Sequence, residues 1–267
     1  MPLCESCPRR CRADRAARAG YCRSGEGLEI ASICRHRGEE PVLSGRRGIC
    51  NVFFSHCNLQ CLYCQNHQIS RNSVAARDMA LEEAVGAIVA SLDDGATHVG
   101  FVSPSHMIDQ MKRIIAGVRG AGREPVFVMN TGLYDLPETI ASLEGLVDVY
   151  LPDFKYMDRA LARDYSEAED YPEVALAALR EMHRQKGSNL AMREDGTAAS
   201  GLIIRHLILP GHSANSIDAL RAIAEELSTS VHLSLMSQYY PPETVAGHPR
   251  LDRTLAADEY DAVREEM

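Results

Sequence analysis

From residue 50 onward, short apolar runs rich in β-branched residues alternate with stretches of helical periodicity. This alternation constrains the fold more than any other feature. The strand candidates are 50–55 (CNVFFS), 98–103 (HVGFVS), 125–130 (PVFVMN), 147–152 (VDVYLP), 202–209 (LIIRHLIL) and 231–236 (VHLSLM). Several are apolar on both faces, as strands of a buried parallel sheet are. Between them Leu81, Ala84, Val85, Ile88, Val89 and Leu92 follow i, i+3, i+4, i+7 spacing, with Gly95 as a stop. Ile108, Met111, Ile115 and Val118 make a second helical face, and Leu136, Ile140 and Leu143 a third. Residues 173–186 and the row Ile217, Leu220, Ala224, Leu227 add two more. Six strands with a helix after most of them imply βαβ units with right-handed crossovers. Periodicity alone leaves two closures open, a barrel-like sheet or an open doubly wound one. The polar stretch 193–200 (REDGTAAS) contains Asp-Gly and reads as a hairpin tip extending the fifth strand.

The chain has 267 residues, 45% hydrophobic and 24% charged. That suits one large α/β domain with a small appendage, or two modest domains. No apolar run approaches the roughly 20 residues of a membrane helix, and the basic start lacks the apolar core of a secretory signal. The expected location is therefore the cytoplasm. In a reducing compartment nine cysteines point to metal or redox chemistry rather than disulfides. A net charge of −9 argues against DNA and broad nucleic-acid binding. Residues 1–24 nevertheless hold six Arg against Glu5 and Asp14. This basic module reads as a solvated face, or as a dock for RNA or an acidic partner.

Cys57, Cys61 and Cys64 fall in "SHCNLQCLYCQN", at C-x3-C-x2-C spacing, directly after the first core strand. Ligand sites of α/β folds collect at that strand end. The loop admits a Cys3His zinc site completed by His67, inert buried thiols, or a [4Fe–4S] cluster held by three thiolates with one iron left open.

"CNLQCLYC" resembles the cysteine loop of radical S-adenosylmethionine (SAM) enzymes, with Tyr63 as the aromatic residue before the third cysteine. Further segments, "GEEPVLSG", "FVSPSHMIDQM", "VDVYLPDFKYMD", "DYPEVALAALREM", "IIRHLILPGH" and "LMSQYYP", extend the likeness over nearly the whole chain. They are similar to the group around pyruvate formate-lyase activating enzyme. The resemblance implies a partial (β/α)6, TIM-like barrel whose site lies at the C-terminal ends of the strands. It also implies a cluster whose open iron chelates the amino and carboxylate groups of SAM, so that three cysteines suffice. Ser103 and Ser105 stand where many relatives carry a Gly-Gly-Glu stretch meeting the SAM amino group, and their hydroxyls are candidates for that contact. Asn130 and Thr131 are candidates near SAM. Asp153 is expected on the ribose or a cation, Lys155 on the SAM carboxylate, and Arg205 in the SAM pocket. On the plainer reading Asp153 and Lys155, two apart on a strand, pair with each other. Gln238, Tyr239 and Tyr240 line the substrate mouth or pack as a lid. A one-electron donor such as flavodoxin or ferredoxin is implied. The substrate is a glycyl-radical enzyme, or else a small molecule, peptide or RNA.

Cys4, Cys7, Cys11 and Cys22 follow a C-x2-C-x3-C-x10-C pattern in a segment too small for its own core. Such a segment is stapled by metal, either zinc or an auxiliary [4Fe–4S] cluster. Cys34 and Cys50 have no partners at motif spacing and read as small buried hydrophobes. His106, His206 and His212 read as structural groups. The expected layout is a Cys-rich module over 1–48, the radical SAM barrel over 49–240 and a helical tail over 241–267. The rival reading is a non-catalytic zinc protein that binds RNA or a partner through its basic module.

Overall fold

The computed structural model describes residues 3–17 and 20–267. In chain order it runs β1 (Ile30–His36), α1 (Pro41–Ser44), β2 (Ile49–Phe54), α2 (His67–Ser70), α3 (Leu81–Asp93), β3 (His98–Val102) and α4 (Ile108–Gly120). There follow β4 (Val126–Thr131), α5 (Pro137–Ala141), β5 (Val149–Pro152), α6 (Arg159–Ser166) and α7 (Tyr171–Lys186). The chain then forms β6 (Ala191–Met192), β7 (Ala198–Leu207), α8 (Ser213–Glu226), β8 (His232–Met236) and α9 (Ala257–Arg264).

Six strands, β2, β3, β4, β5, β7 and β8, pair in parallel in that order. They form the partial (β/α)6 barrel and choose the barrel over the open sheet. The two antiparallel strands lie outside this set. β1 pairs with β2 and extends that edge, while β6 folds back on β7 through a turn at Asp195–Gly196. This hairpin starts β7 at Ala198, four residues before the apolar run that marks it in the sequence. Among the described residues no helix is long and apolar enough to cross a membrane.

Strand alternation sorts side chains into two cores. Outward-facing Val52, Phe101, Phe127 and Tyr150 pack against the helices, with Phe54, Phe101 and Phe127 stacked in a row. Inward-facing Ile49, Val126, Val128, Val149, Leu151 and Ile203 form a separate apolar plug at the bottom of the barrel. Leu43, carried by α1 and 0% exposed, joins this plug. Burying such a side chain contributes roughly 1.5–3 kcal/mol. One layer higher the same strands present Asn51, Asn130, Asp153 and Arg205. Gly100 belongs to this layer too, because a Cβ there would lie 2.2 Å from Asn51 Oδ1.

Residues 30–44 thus belong to the body of the barrel rather than to an N-terminal module. The cysteines of the N-terminal pattern all precede β1. In the C-terminal tail α9 packs its buried Val263 with Ile208 and Leu220. Cys50 is buried as expected, but Cys34 is exposed because β1 lies at the sheet's edge.

Candidate active site

The loop after β2 opens with His56 in a left-handed conformation, φ 67°. Its ring is locked between Ser24 Oγ at 3.3 Å and the Val74 carbonyl at 2.8 Å. Asn72 accepts the Cys57 N–H, Gln60 accepts the Asn72 N–H, and Gln60 Nε2 donates to the Ser70 carbonyl. The loop is therefore cross-braced by side chains, which fixes where its cysteines point. All three thiols line one cavity of about 280 Å³ at the C-terminal ends of the strands.

Each sulfur has a hydrogen-bonding neighbour. The Leu59 N–H donates to Cys57 Sγ at 3.4 Å, Ser166 Oγ donates to Cys61 Sγ at 2.9 Å, and Ser70 Oγ lies 3.1 Å from Cys64 Sγ. Burial pushes the Cys57 thiol up to about 12 and raises that of Cys61, whose rise the Lys155 cation opposes. Such thiols ionise when a positive centre binds them, as metal ligation does. His67 does not complete a zinc set, because it does not line the cavity that the three thiols share. Among the described residues no three His, Cys, Asp or Glu side chains gather tightly enough to hold one metal ion. Three thiols spread around a shared cavity suit a polynuclear cluster, in which each sulfur binds a different iron.

Asn130, Asp153, Lys155, Arg205 and Ser103 line the same cavity, as do Tyr63, Gln238 and Tyr239. Asp153 sits at the centre of an ion-pair chain. Lys155 Nζ is 3.1 Å from one of its oxygens and Arg205 Nε 2.7 Å from the other. Arg205 also reaches Glu39 at 3.2 Å and Asn130 Oδ1 at 3.0 Å. Burial raises the Asp153 carboxyl, but Arg205 and then Lys155 more than offset this and hold it down at about 2. Burial lowers Lys155, and Asp153 outweighs that, leaving it raised and charged. The plain pairing of Asp153 with Lys155 is therefore present, and it leaves the ammonium on the cavity wall.

Ser105 and Thr131 do not join this wall. Thr131 follows inward-facing Asn130 and so faces the helices, where its hydroxyl meets Ser105 Oγ and Asp135. Ser103 has φ 54°, ψ 50° and turns the chain, so that Ser103 lines the cavity while Ser105 is buried behind it. Tyr63 lines the cavity too, but its hydroxyl points away to Tyr156 at 2.7 Å, and Tyr156 continues to Ser166 at 2.8 Å. Tyr240 is 67% exposed beside the mouth, where its carbonyl accepts from Gln65. Gly132 keeps the floor open, since a Cβ there would lie 3.1 Å from Leu59 and 3.4 Å from Lys155.

Glu39, Ser70 and Ser166 are the functional candidates that sequence reasoning missed. Glu39 falls inside the quoted "GEEPVLSG", yet nothing in spacing pairs it with a residue 166 positions away. Ser166 has no local signal at all.

Arg9 and Arg15 of the basic segment turn inward, while Arg10, Arg12 and Arg23 are exposed. Arg9 donates to the carbonyls of Asn58, Ser166 and Glu167 and covers the Tyr21 ring at 3.9 Å. Arg15 donates to the Gly25 and His106 carbonyls. Arg10 and Arg12 pair with Glu138 and Glu5, and Arg18 lies outside the described residues. Two of the five described arginines of residues 1–24 are thus used within the protein, and the other three remain on its surface.

Comparison with known proteins adds the following. No family model matches the chain. An uncharacterized protein of Methanocaldococcus jannaschii is 26% identical over 98% of this chain and 73% of its own. The fold is similar to that of HydG, a maturase of the [FeFe]-hydrogenase, with TM-score 0.54 and 12% identity over 84% of this chain and 50% of that one. It is also similar to Streptococcus suis SuiB bound to S-adenosylmethionine, with TM-score 0.54 and 11% identity over 79% and 44%. Escherichia coli HemN, a coproporphyrinogen III oxidase and radical SAM enzyme, matches with TM-score 0.53 and 11% identity over 90% and 58%. The chain thus spans about half the length of these structures. At such identities the likeness establishes a shared fold, the partial barrel of radical SAM enzymes.

Proposed function

We propose that this chain is a radical SAM enzyme, in which Cys57, Cys61 and Cys64 hold a [4Fe–4S] cluster beside a bound SAM. The observation that carries the reading is the cavity itself. Three thiols from one braced loop share its wall with a charged Asp153–Lys155–Arg205 array, at the strand ends of a partial barrel. The donor set fits the group. Three sulfurs leave one iron open, and each sulfur already has a neighbour able to stabilise its anionic form. When bound, the reduced cluster and SAM supply reductive cleavage to methionine and a 5′-deoxyadenosyl radical that takes hydrogen from a substrate. The chain's own part is to bind, orient and shield. Lys155 neutralises the SAM carboxylate by a charge-assisted contact, Asn130 and Ser103 offer polar edges, and Leu59, Leu207 and Met236 exclude water.

The finer reading, activation of a glycyl-radical enzyme with electrons from a flavodoxin or ferredoxin, is supported by the resemblance of the "LPDFK" and "IIRHLILPG" segments.

The test is anaerobic purification followed by incubation with SAM and dithionite. Brown protein with broad absorption near about 400 nm and 5′-deoxyadenosine formation are expected, both lost in Cys61→Ala. A colourless, zinc-loaded protein that forms no 5′-deoxyadenosine refutes the reading.

A further inference from the structure

Cys4, Cys7, Cys11 and Cys22 line a separate space of about 10 Å³, and among the described residues no three donors gather tightly enough for a metal ion. The sulfur that the fold equips further is Cys61. Cys57 Sγ has a backbone N–H from Leu59, and Cys64 Sγ has the single hydroxyl of Ser70. Behind Cys61 three hydroxyls stand in line. Ser166 Oγ is 2.9 Å from Cys61 Sγ, Tyr156 Oη is 2.8 Å from Ser166 Oγ, and Tyr63 Oη is 2.7 Å from Tyr156 Oη.

Three parts of the chain build this line. Tyr63 belongs to the cysteine loop itself, Tyr156 follows β5, and Ser166 ends α6. Tyr156 and Ser166 are 0% exposed and Tyr63 is 6% exposed, so the bonds are shielded from water. The Tyr156 ring is wedged edge-on between Tyr63, with centroids 6.5 Å apart, and Tyr171 at 5.3 Å.

The protons in this line have one possible order once the sulfur is a ligand. A sulfur bound to iron carries no proton and can only accept, so Ser166 donates to Cys61. Each hydroxyl has a single proton. Ser166 therefore accepts from Tyr156, and Tyr156 accepts from Tyr63. Bonds in such a row polarise one another, by about 10–30% per bond.

We propose that Tyr63, Tyr156 and Ser166 act as one hydroxyl relay that draws charge from the Cys61 sulfur and so eases reduction of the cluster. The relay rests on the function proposed above, because it acts on that cluster. Ser166 touches the sulfur, whereas Tyr156 and Tyr63 are positioning residues that work through it. A neutral relay suits this place. A cation against the sulfur would repel the sulfonium of SAM, and Lys155 is already engaged by Asp153 at 3.1 Å. Satisfying buried hydroxyls does not by itself require sulfur. The neighbouring Tyr171 hydroxyl ends on backbone, 2.8 Å from the Asp153 carbonyl and 3.0 Å from that of Gly132.

That contrast supplies the control. The full chain is reconstituted anaerobically with iron and sulfide, and its cluster is titrated potentiometrically with electron paramagnetic resonance as the readout. Ser166→Ala is expected to lower the equilibrium constant for reduction by about three- to tenfold. Tyr156→Phe keeps the ring and should lower it by about twofold, which at 59 mV per tenfold is about 18 mV. Tyr63→Phe should act in the same direction and by less, one bond further away. Adding Tyr156→Phe to Ser166→Ala should change nothing, because the relay is already cut. Tyr171→Phe removes an equally buried hydroxyl beside Tyr156 and should leave the potential where it is. A parental potential in Tyr156→Phe, additive shifts in the double variant, or an equal shift in Tyr171→Phe overturns the relay alone. If the parent takes up no cluster, the proposed function falls and the relay with it.

Discussion

Replacing Arg205 with Ala tests whether the guanidinium belongs first to the barrel or to the cofactor. Its side chain is 14% exposed, Asp153 is 22% and Glu39 10%, so solvent screens these pairs little. Without Arg205, Glu39 loses its cation, and Asp153 keeps only Lys155 at 3.1 Å. Deleting one member of a buried ion pair typically costs about 3–5 kcal/mol, because the partner stays charged in a poor solvent. Lys155 still compensates Asp153, so the lower end applies, about 3 kcal/mol, equivalent to a fall in Tm of roughly 6–12 °C for a chain of this size. Adding Glu39→Gln removes the stranded charge while keeping the oxygen that accepts from Asn51. The double variant should therefore recover about 1–2 kcal/mol of coupling. Urea unfolding of the reduced apo-protein, followed by circular dichroism, measures both. If Arg205→Ala falls within about 0.5 kcal/mol of the parent, or Glu39→Gln adds a further independent loss, the ion-pair chain is not a structural unit and Arg205 is free to serve SAM directly.

Three shorter predictions concern a cation on the cavity wall, the donor to one thiol and a buried histidine. Lys155→Ala should weaken SAM binding about ten- to a hundredfold, as loss of a contact worth about 1.5–3 kcal/mol does, with the cluster still assembled; parental affinity in a titration of the reduced protein would place Lys155 on the substrate side. Ser166→Ala removes the donor to Cys61. If half of a bond worth about 1.5–3 kcal/mol favours the more negative, reduced cluster, the midpoint potential should drop by about 30–60 mV, and an unmoved potential sinks this role. His206, buried and held neutral with its proton affinity lowered by burial to about 4, titrates near 6.5 when unfolded. The unfolded chain therefore binds the extra proton between those values. Stability is fully present above about pH 6.5 and is lost as pH falls toward 4, by up to about 1.4 kcal/mol per pH unit. His206→Gln should flatten that slope in denaturant titrations at pH 7 and 5, and an unchanged slope contradicts the assignment.

The βαβ order was legible because both cores depend on it. Parallel strands covered on two faces must be apolar on both, and helices over them must show one apolar stripe. The three-cysteine loop was equally legible, since its ligands are local. Strand parity held more than was taken from it. Asn130 and Thr131 are neighbours on β4 and must face opposite ways, so only one of them can line the cavity, whereas the same rule was used to choose Arg205 over His206. Glu39 and Ser166 were out of reach for a different reason. Each acts across the fold on a partner more than a hundred residues away, and no local pattern encodes such a meeting. β1 was not read as a strand at all, because its place is fixed by pairing with β2 rather than by a pattern of its own.

The docked N-terminal segment also has a history. Arg9 meets the carbonyls of Ser166 and Glu167 at sequence separations of 157 and 158, and Tyr21 meets Glu167 at a separation of 146. On a ribosome adding about 5–20 residues per second, the first four cysteines wait roughly 8–30 s for the surfaces that will cover them. Throughout that interval they are small, thiol-rich and open to oxygen, zinc and iron alike. The oxidation state of these thiols in the finished protein is thus partly decided by the cell in which it is made, and expression in air should damage this end of the chain first.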